Sequence, residues 1–125
     1  MKKHILIVDD EPTIQMLYKY ILETAGYDVS IASTGQECLE RLISDKPDLI
    51  LLDLMMPDMN GVDVAKEIRT KPGKYGNPAI VILTAYLGEN AREKASQKWV
   101  DGYVTKTEVI NQELVDEVER YLSDR

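Results

Sequence analysis

Pro47-Asp48-Leu49-Ile50-Leu51-Leu52-Asp53-Leu54-Met55-Met56-Pro57-Asp58-Met59-Asn60-Gly61 is the stretch on which the fold turns. Leu49 to Leu52 is short, apolar and uninterrupted. A strand buried on both faces of a parallel sheet has that pattern. The run stops at a carboxylate, Asp53, and a loop follows with the turn formers Pro57, Asn60 and Gly61. Open α/β sheets place their ligand sites where such strands emerge. Capping the strand or the next helix is the plainer use of Asp53, so the rest of the chain must decide.

Upstream, Ile5 to Val8 is a first apolar run, ending at Asp9-Asp10. Pro12 suits the first turn of a helix, where its missing N–H costs nothing. Ile14, Leu17, Tyr18, Ile21, Leu22 and Ala25 follow at helical spacing, and Gly26 is placed to end the helix in a left-handed conformation. Tyr27 to Ala32 is a second strand. Thr34-Gly35-Gln36-Glu37 matches a capping box for a helix that buries Cys38, Leu39, Leu42 and Ile43. Downstream, Val62, Val64, Ala65 and Ile68 mark a helix that stops before Pro72-Gly73, and Pro72 to Pro78 is expected to be loop. Ala79 to Leu83 is the most apolar strand and leads to Thr84-Ala85. A weak helix is expected from about Glu89 to Lys98, with only Ala91, Ala95 and Trp99 to bury. Gly102 to Thr105 is a last strand, followed by Lys106. A final helix carries Ile110, Leu114, Val115, Val118, Tyr121 and Leu122. Strand and helix alternate five times without repeat or linker. That implies one α/β domain over 1–125, with a five-stranded parallel sheet covered by helices on both faces.

The 125 residues fit a single domain. Lys plus Arg total 15 against 22 Asp plus Glu, a formal net charge of -7. This excludes the basic footprint of nonspecific nucleic-acid binding and disfavours an anionic membrane. No apolar run approaches the ~20 residues of a membrane span. The apolar part of the N-terminus is too short for a signal peptide, so cytoplasmic residence is expected. The single cysteine, Cys38, excludes an intrachain disulfide and reads as core. The single histidine, His4, falls before the first strand, far from the acidic strand ends, and is not expected to be catalytic.

Four strands end in residues with chemistry to offer: Asp9 and Asp10, Asp53, Thr84 and Lys106. Parallel strands bring all their carboxyl ends to one edge. Three carboxylates gathered there raise one another's pKa unless a cation intervenes. Oxygen-only ligands favour Mg²⁺, which takes one or two carboxylates and keeps room for phosphate oxygens. Lys106 supplies a point charge and Thr84 a hydroxyl donor. The set suits phosphoryl transfer, with Asp53 as the nucleophile that becomes an aspartyl phosphate. Each residue also has a bland use as a cap, a backbone partner or a solvated charge. Four such uses at four strand ends at once are improbable.

Asp9-Asp10, Asp53-Leu54-Met55-Met56-Pro57 with Gly61, Thr84-Ala85, and Tyr103 three residues before Lys106 together resemble the receiver domain of two-component response regulators. The resemblance spans the chain. It implies the doubly wound strand order 2-1-3-4-5, in which the ligand sits at the switch point between the first and third strands. It implies Asp53 as phosphoacceptor and Asp10, Asp53 and the Met55 backbone carbonyl as Mg²⁺ ligands, with Asp9 acting through water. Lys106 and Thr84 are implied as partners of the phosphoryl oxygens, and Thr84 and Tyr103 as the switch pair. Implied partners are a histidine kinase or phosphotransfer protein, a downstream target or fused output domain, and a second copy on phosphorylation. The only catalysis implied is of the domain's own phosphorylation and dephosphorylation.

One departure stands out: Thr107 follows Lys106 where the family usually has proline, which leaves the shape of that loop open. The bulky Met55 and Tyr86, two residues after Asp53 and Thr84, are expected to slow hydrolysis of the phosphorylated form. Rival readings fare worse. An aspartyl-phosphate phosphatase needs an acid two residues after the nucleophile, where Met55 stands. A nucleotide or flavin module needs a glycine-rich loop where Asp9-Asp10-Glu11-Pro12 stands. A receiver-like module used for protein contacts, with weak or no phosphorylation, would not need the full set of site residues, but Thr107 in place of the proline keeps that alternative open.

Overall fold

A computed structural model describes residues 2–85, 98–106 and 112–125. The strands are β1 (His4–Val8), β2 (Asp28–Ala32), β3 (Leu49–Asp53), β4 (Ala79–Thr84) and β5 (Gly102–Thr105). The described helices are α1 (Pro12–Thr24), α2 (Gly35–Ser44), α3 (Gly61–Thr70), the single turn α4 (Pro72–Tyr75) and α5 (Gln112–Ser123). The sheet is parallel throughout, in the order β2-β1-β3-β4-β5. Both the fold class and the strand order are those expected from the sequence.

The period of two along each strand explains the layers. Leu6, Val8, Ile50, Leu52, Ile80 and Ile82 point to one face, where they pack with Cys38 and Leu42 of α2 and Val64 and Ile68 of α3. Ile5, Ile7, Leu49, Leu51, Val81 and Leu83 point to the other, against Tyr18 and Leu22 of α1 and Leu114 and Val118 of α5. A strand covered on both sides has no polar face, which is why Leu49 to Leu52 reads as an unbroken apolar run. Cys38 is fully buried, and burial pushes its thiol pKa up to about 12.

Local rules end the helices. Gly26 adopts φ +101°. The Tyr27 N–H then reaches the Leu22 carbonyl at 3.1 Å and the Gly26 N–H that of Glu23 at 3.0 Å, a Schellman ending. The capping box is half as expected: Thr34 Oγ1 accepts from the Glu37 N–H at 3.0 Å, but Glu37 Oε1 takes the N–H of Ser33, not of Thr34. The Pro72–Pro78 segment is not all loop. Pro72 opens one helical turn and Gly76, at φ +82°, ends it, with Tyr75 buried against the α2/α3 layer. His4 does not precede β1 but begins it. Its N–H donates to Asp48 Oδ2 at 2.8 Å and its ring lies 2.6 Å from Ser30 Oγ. The weak helix expected from Glu89, and Tyr86, Thr107 and Ile110, lie outside the described residues.

Gly102 shows how tightly α5 seats on the sheet. A Cβ there would overlap the Tyr121 ring and hydroxyl. Gly102→Ala should therefore destabilise the domain by about 1–3 kcal/mol through overpacking. In chemical denaturation, Tyr121→Ala should recover much of that loss, giving a double mutant more stable than the sum of the single effects. Strict additivity would show that the close approach carries no strain.

Candidate functional site

The register of the sheet builds the site. Val8 pairs with Leu52, so Asp9 emerges level with Asp53 on the neighbouring strand. Asp53 pairs with Leu83, which puts Thr84 one step beyond it on β4. Thr84 pairs with Thr105, and the N–H of Lys106 donates to the Thr84 carbonyl at 2.8 Å. Asp9, Asp10, Asp53, Thr84 and Lys106 are thus brought to one edge of the sheet. Carboxylate oxygens of Asp9, Asp10 and Asp53 lie within 4.8 Å of one another. Asp9, Asp53, Thr84 and Lys106 are buried, whereas Asp10 faces solvent.

Lys106 answers the crowding. Its Nζ lies 2.7 Å from Asp9 Oδ2, 3.3 Å from Asp53 Oδ1 and 3.2 Å from Glu11 Oε1. Burial works against its charge, but the close contact with Asp9 and the charges of Asp53 and Asp9 prevail and hold its pKa above the ordinary lysine value. Asp53 is left incompletely compensated. Burial first, and the charge of Asp9 second, push its pKa up to about 6 against the opposing pull of Lys106. Asp9 Oδ2 is buried and is held by the Lys106 ammonium. Its other oxygen takes the Glu11 N–H at 2.9 Å.

A hard divalent cation fits this donor set. The ligands are all oxygen, two of the three carboxylates are buried, and carboxylates outnumber the ammonium. Asp10, exposed beside two buried carboxylates, leaves such a cation open to solvent on one side.

The loop after β3 is shaped by its small residues. A Cβ on Gly61 would overlap the Asp53 carbonyl oxygen, so glycine alone permits that approach. The Gly61 N–H donates to the Leu54 carbonyl at 2.8 Å, Met55 bridges Asn60, and Asn60 Oδ1 caps α3 through the Val62 N–H at 2.8 Å. Met56 and Met59, partly buried, pack on the α2/α3 layer. Met55 does not: its side chain is 71% exposed, while its N–H points at Asp53 Oδ1, 3.3 Å away. Tyr103 is half-buried against the same layer.

Three residues near the site were not singled out from the sequence. Glu11 extends the acidic run of Asp9 and Asp10 and reaches Lys106 at 3.2 Å. Tyr18 was read only as core, yet its buried hydroxyl donates to the Lys106 carbonyl at 3.3 Å, and burial pushes its pKa up to about 12. Asp58 joins the loop after β3 to α2, a contact with no local signature.

The response regulator receiver domain family matches residues 5–119. The alkaline phosphatase synthesis transcriptional regulatory protein PhoP of Bacillus subtilis (strain 168) is 42% identical over 106 residues, which cover 85% of this chain and 43% of that protein. The chain thus spans less than half the length of this relative. Among solved structures, the CheY-like response regulator receiver domain protein of Methanospirillum hungatei JF-1 superimposes with a TM-score of 0.86 at 30% identity, covering 99% of this chain and 96% of its own. The response regulator TrrA of Thermotoga maritima, in complex with Mg²⁺-BeF, does so with a TM-score of 0.81 at 38% identity, covering 95% and 98%. With the sheet order, the acidic strand ends and these likenesses in agreement, the chain belongs to the response regulator receiver domain family.

Proposed function

We propose that this receiver domain is the phosphoacceptor switch of a two-component phosphorelay, with Asp53 taking a phosphoryl group from a phosphohistidine donor. The observation that carries the reading is the meeting of Asp9, Asp10 and Asp53 within 4.8 Å, with Lys106 Nζ 3.3 Å from Asp53. Bound Mg²⁺, held by Asp10, Asp53 and the Met55 carbonyl and through water by Asp9, would neutralise charge on the transferring group. The chain's own residues do the rest. An Asp53 oxygen forms a bond to phosphorus as the donor's P–N bond breaks, and the imidazole leaves with the electron pair. Lys106 needs only a small shift from Asp53 and Asp9 to meet a phosphoryl oxygen. Thr84, one step beyond Asp53 on the next strand, donates its hydroxyl to another.

The dianion formed on Asp53 then draws Thr84 and Lys106 toward it, and Tyr103 follows from its half-buried position. The face formed by the helix expected from about Glu89 to Lys98, β5 and α5 changes with them, and with it the affinity for a target, a fused output domain or a second copy. A differential stabilisation of ~2–3 kcal/mol suffices to shift a mostly inactive population substantially. The reading makes the domain a reagent in its own modification, not a turnover enzyme. The TrrA neighbour, in complex with Mg²⁺-BeF, supports the metal assignment by likeness. Among the described residues no helix is long and apolar enough to cross a membrane.

Incubation with acetyl phosphate and Mg²⁺ should label the chain once, and Asp53→Asn should abolish the label. Stoichiometric labelling of that variant would remove Asp53 from the role.

The charge on Asp53 also predicts a pH dependence of stability. With a folded pKa of about 6 against an ordinary 3.8, the folded state holds this proton more tightly than the unfolded chain does. The contribution of Asp53 therefore becomes less favourable as pH rises from about 4 to 6 and levels off above that. In metal-free buffer, the stability advantage of Asp53→Asn should grow over that window to about 1–3 kcal/mol. A pH-independent difference in urea midpoints would contradict the burial of an ionising Asp53.

A further inference from the structure

The N-terminus of α2 is completed by a residue that does not belong to it. A helix begins with backbone N–H groups that have no partner inside the helix. At α2 the Cys38 N–H reaches the Thr34 carbonyl at 3.0 Å and the Glu37 N–H reaches Thr34 Oγ1 at 3.0 Å. The Gly35 and Gln36 N–H groups remain. Both donate to Asp58, Gly35 to Oδ1 at 3.1 Å and Gln36 to Oδ2 at 3.0 Å. Asp58 lies in the loop after β3, more than twenty residues away in sequence. One carboxylate engaged through both oxygens fixes orientation as well as distance, and the helix end favours its charge.

We propose that Asp58 is a positioning residue for the metal and phosphoryl site, holding the loop that carries the Met55 carbonyl against α2. This rests on the function proposed above. The loop is a closed turn fixed at two ends. At its base, Gly61 presses on the Asp53 carbonyl, its N–H bonds Leu54, and Met55 bridges Asn60. At its tip, Asp58 spans the two amides of α2. Met55, whose carbonyl is the expected backbone ligand, belongs to the base through its bridge to Asn60, and the chain runs from it directly to the tip. Its side chain is 71% exposed and supplies little packing of its own, so the backbone there depends on the neighbours that hold the loop. Asp58 is itself exposed, and the two amides of α2 are what hold its carboxylate in place. Tied to α2, it keeps the loop in one conformation before any cation arrives, which spares the cation the work of ordering it.

Loss of Asp58 should leave the fold standing. Met59 still packs into the α2/α3 layer, and Thr34 still caps α2. The test compares Asp58→Ala and Asp58→Asn with the unaltered protein, all well below their unfolding temperatures. Mg²⁺ affinity is read by titration calorimetry, exchange of the Gly35 and Gln36 amides by NMR in metal-free buffer, and acetyl phosphate labelling as a function of Mg²⁺. In Asp58→Ala both amides should exchange faster, and Mg²⁺ binding should weaken about tenfold, the scale of losses when a group supporting a metal ligand is removed. Labelling at saturating Mg²⁺ should stay within about twofold, so the loss falls on half-saturation and not on the limiting rate. Asp58→Asn, with one acceptor oxygen left, should lie between. If Asp58→Ala fails to fold, the Asp58→Asn comparison decides on the same terms. Faster amide exchange with unchanged Mg²⁺ affinity would make Asp58 a helix cap and nothing more, overturning the inference while leaving the proposed function intact. An unaltered protein that neither binds Mg²⁺ nor takes label would overturn both.

Discussion

Lys106 reaches from the end of β5, past β4, to carboxylates that the parallel register has already set side by side. Everything at the site follows from that crowding. Asp9 and Asp53 are buried where their charges are costly, and one ammonium cannot satisfy both. The unmet charge appears as the raised pKa of Asp53. Such a pocket is poised for added positive charge.

The sheet can hold this congestion because its interior is uniformly apolar. Two layers, one under α2 and α3 and one under α1 and α5, clamp β1, β3 and β4 from both sides. The strands cannot slip without turning their side chains to the wrong face. Register therefore transmits directly into the spacing of Asp9, Asp53 and Thr84. Stability is concentrated beneath the site, and cost is concentrated at it.

Most of the fold was legible because the signals are strong and local. Continuous apolar runs marked β1, β3 and β4, and a glycine marked the end of α1. The turn at Pro72–Tyr75 was missed because two glycines and two prolines between Pro72 and Pro78 mask a helix held by one buried tyrosine. At the site, the residues carried by strand ends were legible from topology alone. Glu11 was not, since nothing in an acidic run says which member reaches a lysine 95 positions away. Tyr18 hid in a helical stripe where every member looked like core. Asp58 joins two loops distant in sequence, and such tertiary caps leave no periodic trace. The exposure of Met55 escaped for the opposite reason, because a hydrophobic residue is assumed to be inside unless geometry says otherwise.

Cys38 is the chain's one thiol, sealed beneath α2 and kept protonated well above neutral pH. Alkylating reagents and mild oxidants act on exposed thiolates, so the native protein is chemically silent toward them. A cysteine introduced on the surface would consequently be the only reactive thiol. Fluorophores or spin labels could be placed one at a time without first rebuilding the interior.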